Sequence, residues 1–332
     1  MSGIKIVGTG SYVPPKIVRN EDFTKIIETS DEWIKTRTGM SERHISEGQP
    51  NWYMGTKAIE QAIKNAGIDV SEIGLIISTS ATPDFITPSM ACIMQREIGA
   101  IGCMAIDVNC ACAGFVYGFD MARRYLVTDD SIKYAVVVAN ENLTKITDYS
   151  DRSTCVLFGD GAAACILELS KDNLYTSYLG ADGTGAKHLG ARSFPPNNAF
   201  MPEHREEYPD GMPEGNSHYL WQDGKEVYKF AIKILPTAVN AAAEKIGLNI
   251  QDIDVIVPHQ ANIRIIETAV QKLGLPIEKF FINLEKYGNT SSASIPLALN
   301  EAIQEGRIKR GDTVCLVGFG AGLTYGAVIF KY

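Results

Sequence analysis

The residue best suited to covalent chemistry is Cys112, in the segment DVNCACAGFVYG at 107–118. It stands where an apolar strand is predicted to turn into an apolar helix, and no charged side chain occurs between Val108 and Phe119. The positive end of a helix dipole lowers the pKa of a thiol and favours the nucleophilic thiolate. We therefore predict a buried, reactive cysteine that substrates reach through a tunnel. The alternative is an inert thiol packed in the core.

Three further loops hold residues that suit one site with Cys112. His259 stands in PHQAN, directly after the predicted strand DVIV, and Asn289 stands in YGNTSS. The loop GFGAG at 318–322 lacks the GxGxxG spacing of a dinucleotide site, and a tight turn exposing backbone N–H groups is the better interpretation. Each side chain also has a structural alternative: a lone core histidine, and an asparagine that caps a turn or helix.

An internal repeat indicates that the chain consists of two duplicated halves. AGIDVSEIGLIISTSA starts at Ala66, and IGLNIQDIDVIVPHQA starts 180 positions later, at Ile246. Each copy follows an amphipathic helical pattern, and Pro236 is expected to kink or break the second helix. The Cys112 turn and its helix correspond to GNTSSASIPLAL at 288–299.

The fold class predicted from this pattern is α/β. Apolar strands such as LIIS, AVVVA, VIVP and TVCLVG alternate with helices, which indicates largely parallel sheets covered on both faces. Pairing the two halves predicts a five-layered α/β/α/β/α sandwich. The half at 1–172 would carry the nucleophilic cysteine, and the half at 173–332 would carry His259 and Asn289.

Composition excludes several classes of protein. The 332 residues carry a net charge of −8, which argues against general nucleic-acid binding. No apolar run approaches the roughly 20 residues that a membrane-spanning helix requires. Cys110 and Cys112 have no second pair at metal-ligand spacing, so we expect no metal site. Seven scattered cysteines without a signal peptide predict a protein of the reducing cytoplasm.

Taken together, the motifs resemble the ketoacyl synthase III family of the thiolase superfamily, the 3-oxoacyl-[acyl-carrier-protein] synthases that start type II fatty acid synthesis. The resemblance covers essentially the whole chain. The segments that carry it are GTGSYVPP (8–15), TSDEWIKTRTGM (29–40), CAGF (112–115), DRSTCVLFGDGAAA (151–164), PHQANIRI (258–265), YGNTSSAS (287–294) and GFGAGLTYG (318–326).

The resemblance implies a catalytic triad of Cys112, His259 and Asn289. Cys112 would take the acyl group of acyl-CoA as a thioester, and His259 and Asn289 would hold the thioester carbonyl of malonyl-acyl carrier protein while it loses CO2. The carbanion would then attack the acyl-Cys112, with the oxyanion held by the backbone N–H groups of Cys112 and Ala321. The CoA thioester is a substrate, and no metal or organic cofactor is implied.

The family pattern also assigns substrate contacts. Its residues for CoA and the acyl chain map to Trp33, Arg37, Arg152, Asn262, Thr87 and Phe319. An indole and a guanidinium can sandwich adenine, although Trp33 alone is also consistent with a packed core aromatic. Lys225 replaces an asparagine of the family that touches pantetheine.

Protein contacts are implied as well. Lys229 and Arg264 would contact the acidic carrier protein, although the stripe Lys225, Lys229 and Lys233 is also typical of a solvated helix face. A homodimer is implied, in which residues 82–89 of one chain help to close the acyl pocket of the other. There Thr87 replaces an aromatic gate, with Phe85 close by. Residues 183–224 are interpreted as a long surface loop bordering the tunnel.

The resulting hypothesis is a condensing enzyme that joins an acyl-CoA primer to malonyl-acyl carrier protein. One alternative is a specialised-metabolism acyltransferase on the same scaffold with a different acceptor. Another is a non-catalytic interaction protein with an inert Cys112. The presence of Asn289 favours decarboxylation, and therefore the first hypothesis.

Overall fold

The computed structural model describes residues 3–194, 200, 211–212 and 218–332. The strands are β1 (Gly3–Tyr12), β2 (Lys16–Arg19), β3 (Glu42–Ile45), β4 (Ile73–Thr79), β5 (Met104–Val108), β6 (Tyr134–Asn142), β7 (Asp160–Ser170), β8 (Tyr175–Ala181), β9 (Leu189–Gly190), β10 (Trp221–Gln222), β11 (Val255–Pro258), β12 (Thr313–Gly320) and β13 (Thr324–Lys331). The helices are α1 (Asn20–Phe23), α2 (Asp31–Thr38), α3 (Asn51–Ala66), α4 (Met90–Ile98), α5 (Gly114–Thr128), α6 (Arg152–Cys155), α7 (Gly224–Glu244), α8 (Ile263–Leu273), α9 (Leu284–Tyr287) and α10 (Ser294–Gln304).

Two mixed sheets form the centre of the molecule. Their strand orders are β1-β7-β6-β4-β5 and β11-β12-β13-β8. Only β4–β5, β4–β6 and β11–β12 pair in parallel, and the remaining pairs of the two sheets are antiparallel. The prediction of largely parallel sheets is therefore wrong. For β12 and β13 the physical reason is connection length, because the Ala321–Leu323 turn that joins them is too short for a crossover helix.

Five layers of secondary structure enclose the core, as the sequence predicts. Helices α5 and α10 lie between the sheets, where Phe115 and Ile295 pack in one cluster with strand residues such as Leu75 and Leu316. Helices α3 and α4 cover the outer face of the first sheet, and α7 and α8 cover that of the second. Full burial of each such side chain stabilises the fold by about 1.5–3 kcal/mol.

The 180-residue repeat is visible in the backbone. A 3₁₀ turn, Ala111–Ala113, leads into α5, and its counterpart Ser291–Ala293 leads into α10. Ala111 (φ 45°) and Ser291 (φ 50°) are the only non-glycine residues of the described chain with positive φ. The predicted match between the Cys112 turn and 288–299 is thus confirmed. Division of the chain at 172/173 stays a prediction.

Pro236 does not break α7, which continues from Gly224 to Glu244. A proline has no N–H, so the carbonyl of Ile232 lacks its helical partner. Lys272 of α8 donates to that carbonyl through Nζ at 3.0 Å, and Thr237 Oγ1 donates to the Lys233 carbonyl at 2.8 Å. The Lys272 contact replaces the one missing helical donor, and the Thr237 contact is an additional one. Among the described residues, every helix is too short or too polar to span a lipid bilayer.

Candidate active site

A cavity of about 790 Å³ brings together the residues predicted to share one site. Cys112, His259 and Asn289 all line it, with Phe319 and Ala321 beside them. They come from the turn before α5, the end of β11, the segment after α9 and the end of β12. Two halves of the chain therefore contribute to one cavity.

Cys112 lies in the Ala111–Ala113 turn against the end of β12. A Cβ added at Gly320 would lie 2.5 Å from the Cys112 nitrogen, so only glycine allows this approach. Burial raises the pKa of the Cys112 thiol to about 12, and a hydrogen bond from Ser291 opposes that rise only in part. The expectation of a lowered pKa is therefore wrong, because the loss of solvation outweighs the helix end. The thiol is protonated at neutral pH.

His259 is held in a fixed orientation at the end of β11 and is only 1% exposed. The backbone N–H of His259 donates to the Val317 carbonyl at 2.8 Å, and its ring Nδ1 lies 2.7 Å from Ser294 Oγ. The Phe319 ring packs edge-on against the imidazole, with 5.4 Å between the ring centres. Because a hydroxyl both donates and accepts, Ser294 can support either imidazole tautomer and leaves Nε2 for a ligand. Burial lowers the pKa of His259 to about 3, so the ring is neutral.

Asn289 lines the cavity, and hydrogen bonds hold its backbone and its Oδ1. The backbone N–H of Asn289 donates to the Leu157 carbonyl at 2.8 Å, and its backbone carbonyl accepts from Gly159 N–H at 3.0 Å. Its side-chain Oδ1 accepts from Ser291 N–H at 2.8 Å. Gly288 before it has φ 64°, and an added Cβ would lie 2.9 Å from Arg43 Cγ. Asn289 thus has the turn-capping contact and also leaves Nδ2 for a ligand. His259 and Asn289 together offer two neutral donors.

Comparisons with known proteins bear on this arrangement. Residues 106–191 match the family model "3-Oxoacyl-[acyl-carrier-protein (ACP)] synthase III", and residues 243–332 match its C-terminal counterpart. The chain is 48% identical to the beta-ketoacyl-[acyl-carrier-protein] synthase III of Clostridium acetobutylicum, over 100% of this chain and 99% of that one. For the Clostridium novyi protein of the same name the identity is 44%, over 100% of both chains.

A solved structure gives the same result. The crystal structure of 3-oxoacyl-[acyl-carrier-protein] synthase III from Aquifex aeolicus superposes with a TM-score of 0.90 at 39% identity, covering 99% of this chain and 100% of that one. This chain belongs to the beta-ketoacyl-[acyl-carrier-protein] synthase III family. The predicted family and the thiolase-like fold are confirmed.

In this synthase III, the residues predicted for CoA cluster around Trp33. Trp33, Arg37 and Asn262 line the cavity. The guanidinium of Arg152 lies 4.9 Å from the centre of the Trp33 ring and that of Arg37 lies 5.5 Å from it. Arg152 itself does not line the cavity and donates to the Glu28 carbonyl at 3.0 Å. Asn262 caps α8, accepting from Arg264 N–H at 2.9 Å.

The remaining predicted contacts fall into two groups. Lys225, Lys229 and Arg264 are exposed and line the cavity, although Lys229 is also paired with Glu226 at 2.6 Å. Thr87 is exposed in the loop at 82–89 and is not brought to the cavity of its own chain.

The described parts of the stretch at 183–224 contain short elements. A 3₁₀ turn spans Gly183–His188, and β9 pairs with β10 in an antiparallel ribbon. Leu189 and Leu220 line the cavity, which confirms that the stretch borders it. Residues 195–199, 201–210 and 213–217 of the predicted loop lie outside the described residues.

Sequence reasoning missed two residues next to the triad. Ser294 contacts His259, and Glu141 is completely buried near Cys112. A signal for Glu141 exists in the sequence, because this acidic residue follows the apolar run AVVVA after a single asparagine. Ser294 gives no such signal, since a serine at the start of a helix is usual.

Replacing His259 with Gln should reduce the acid sensitivity of this protein. The unfolded histidine has a pKa of about 6.5, whereas the folded one is about 3. Between these values the unfolded chain binds the extra proton, so stability is fully present above the upper value and is lost as the pH falls. As the pH falls, the free energy of unfolding of the wild type should therefore decrease more steeply than that of the His259→Gln variant, by about 1.4 kcal/mol per pH unit.

Urea unfolding at several pH values between about 6 and 4 measures both slopes. The difference between the two slopes is the result of interest, since the substitution also changes the stability at neutral pH. Equal slopes for the wild type and the His259→Gln variant would contradict a neutral, buried His259.

Proposed function

We propose that this synthase III carries out a decarboxylating condensation of an acyl-CoA primer with malonyl-acyl carrier protein, giving the 3-oxoacyl-acyl carrier protein that initiates fatty acid synthesis. The observation that carries the proposal is the meeting of Cys112, His259 and Asn289 in one cavity. Full-length relatives bearing the name of such a synthase support it and do not favour another acceptor or an inert Cys112.

Acyl transfer to Cys112 is the first half of the reaction. The Cys112 sulphur forms a bond to the acyl carbon, and the bond from that carbon to the CoA sulphur breaks. With Nδ1–H donating to Ser294, His259 Nε2 can accept the thiol proton and pass it to the departing CoA thiolate. Since the thiol is protonated at rest, proton transfer and carbon–sulphur bond formation take place together.

Condensation is the second half. Loss of CO2 from the malonyl group leaves an electron pair that becomes an enolate. Its oxygen accepts hydrogen bonds from Asn289 Nδ2 and from His259 Nε2–H, in the tautomer whose Nδ1 accepts from the Ser294 hydroxyl. The enolate carbon attacks the acyl-Cys112 carbonyl, and the Cys112 thiolate leaves. The thiolate then takes up a proton from solvent, which restores the resting thiol. The oxyanion is held by the N–H groups of Cys112 and Ala321. The unusual backbone angle of this loop falls on Gly322 (φ 134°), so Ala321 keeps an ordinary conformation.

The test is a reaction of the purified protein with acetyl-CoA and with longer and branched acyl-CoAs, followed by malonyl-acyl carrier protein. Mass spectrometry should show an acyl adduct on the protein and then a 3-oxoacyl group on the carrier protein. A wild type that forms neither adduct nor product contradicts the proposal.

Arg264→Glu should raise the KM for the carrier substrate without changing the adduct, because the carrier protein is acidic.

Trp33→Ala should weaken the use of acyl-CoA. We assign Trp33 and its two arginines to the CoA nucleotide, so loss of the indole should raise the KM for acyl-CoA about tenfold. Acylation by a truncated thioester that lacks the nucleotide should be unchanged, because that donor does not reach Trp33. Steady-state kinetics with both donors measures the difference, and an equal loss with both would contradict the assignment.

A homodimer is part of the proposal. The strand β5 is at the edge of its sheet, and an unpaired strand edge can join another chain. The loop at 82–89 is anchored by Asp84, which pairs with Lys145 and accepts from Trp52 N–H at 2.8 Å. The large apolar side chains exposed in this region are Phe85, Ile86, Ile101 and Met104.

Burial of this apolar surface against a second copy would place Thr87 near the partner's acyl pocket. Ile86→Glu should therefore shift the protein from dimer to monomer in analytical ultracentrifugation, because a carboxylate is costly to bury in such an interface. A wild type that sediments as a monomer would contradict the proposed dimer.

We also propose a cytoplasmic protein that needs no metal or organic cofactor. All seven cysteines are free thiols, which supports a reducing compartment. Fractionation of the cells tests the compartment. Measuring condensation after dialysis against EDTA tests whether a metal is needed, and we expect the activity to be unchanged. Loss of activity that is restored by added metal would contradict the proposal.

A further inference from the structure

A buried carboxylate lies beside the Cys112 and Asn289 turns. Glu141 is the next-to-last residue of β6 and has no exposed surface. None of the basic side chains in the described part of the chain forms an ion pair with it. A buried carboxylate is tolerated only where other contacts compensate for the lost water. Its contacts must therefore come from neutral donors.

Three hydroxyls and two backbone N–H groups supply these contacts. The donors to the Glu141 carboxylate are Thr82 Oγ1 at 2.6 Å, Ser292 Oγ at 2.7 Å, Ala81 N at 3.1 Å, Ser80 Oγ at 3.3 Å and Ser292 N at 3.4 Å. They come from two segments far apart in the sequence: the chain after β4 and the Ser291–Ala293 turn. Glu141 thus links the two segments through hydrogen bonds.

The Ser291–Ala293 turn connects Glu141 to the proposed catalytic amide. Ser292 is held by Glu141 at both its backbone and its hydroxyl, and the preceding residue, Ser291, donates its N–H to Asn289 Oδ1. Ser291 has φ 50°, a conformation that a non-glycine residue keeps only where its surroundings impose it. Without the carboxylate, the turn would lose the two contacts that Glu141 makes with the backbone and the hydroxyl of Ser292, the residue next to Ser291.

The same carboxylate acts on Cys112. Burial raises the pKa of Glu141 itself, and the hydrogen bonds that it accepts oppose that rise. The negative charge of the ionised carboxylate adds to burial in raising the pKa of the thiol. His259, also on the cavity wall, is kept neutral by burial. Among the residues that the structure describes, the other charged side chains on the cavity wall are the exposed cations Arg37, Lys225, Lys229 and Arg264. Removal of the Glu141 charge should therefore lower the pKa of the Cys112 thiol.

We propose that Glu141 is a positioning residue, whose carboxylate locks the Ser291–Ala293 turn and thereby orients the Asn289 amide for condensation. The inference rests on the proposed function, because the amide must serve the condensation step. It assigns to Glu141 a role in the second half of the reaction and none in accepting or donating a proton.

Glu141→Gln tests the proposal, since it keeps the size of the side chain and removes its charge. Acylation of Cys112 by acyl-CoA should be retained, and condensation with malonyl-acyl carrier protein should fall about tenfold or more, because the amide is misplaced. The pH profile for alkylation of Cys112 by iodoacetamide, followed by peptide mass spectrometry, should shift to lower pH, because a nearby like charge is gone.

Glu141→Asp is the matched control, because it keeps the charge on a shorter side chain. It should leave the alkylation profile at its wild-type position and should lose less condensation than Glu141→Gln. It also tests the proposal if the glutamine variant does not fold. In that case, an aspartate variant with a shifted alkylation profile would overturn the proposal.

Three results would overturn the proposal: a Glu141→Gln variant that condenses like the wild type, one that loses acylation and condensation equally, or an unshifted alkylation profile. Failure of the proposed function is distinguishable, because the wild type itself would then form no acyl adduct and no product. The alkylation profile can be read in either case.

Discussion

Cys112→Ala should abolish the acyl adduct that the wild type forms with acyl-CoA. The sulphur is the only atom that the substitution removes from the proposed first half-reaction, and loss of a nucleophile costs enzymes about a thousandfold or more in rate. Intact-protein mass spectrometry after mixing with acyl-CoA measures the adduct, and release of CoA gives the rate. Condensation should fall to the same extent, because no acyl group is then held for the enolate to attack.

Cys110→Ala is the matched control for that result. Cys110 is two residues away and half-buried, but it does not line the cavity, and the contact with Thr324 uses its carbonyl rather than its thiol. Its variant should form the adduct like the wild type. An adduct that persists in Cys112→Ala would place the nucleophile elsewhere, and an adduct lost in both variants would indicate damage to the turn.

The fold could be predicted largely because apolar periodicity and the internal repeat are local properties. The positions of β4 and β11, and of the turns before α5 and α10, follow from segments that are short in sequence. The direction of β13 could not be predicted from the same pattern. It depends on the length of the connection from β12, and an apolar strand has the same composition in either direction.

The candidate site could be predicted as a set of residues but not in its electrostatics. Cys112, His259 and Asn289 follow from motifs. The pKa of Cys112 depends on desolvation and on Glu141 and Ser291, which are distant in sequence and close only in the folded chain. A helix end near a thiol is visible in the sequence, whereas the packing that removes water from that thiol is not.

Asn289→Ala should separate the two halves of the reaction. Acylation of Cys112 does not use the Asn289 amide, so the adduct should form at close to the wild-type rate. Condensation should slow by about 100- to 1,000-fold, because one of two donors to the developing enolate is lost. Single-turnover mass spectrometry gives the acylation rate, and release of CO2 from malonyl-acyl carrier protein gives the rate of the second half.

Asn289→Asp decides between the catalytic and the turn-capping roles of this residue. An aspartate keeps an oxygen to accept from Ser291 N–H, as Asn289 Oδ1 does at 2.8 Å, but has no amide to donate to the enolate. It also adds a negative charge where negative charge develops in the transition state. We therefore expect its condensation to be as slow as that of Asn289→Ala, or slower, with the adduct still formed. Wild-type condensation by Asn289→Asp would show that Asn289 only shapes the turn.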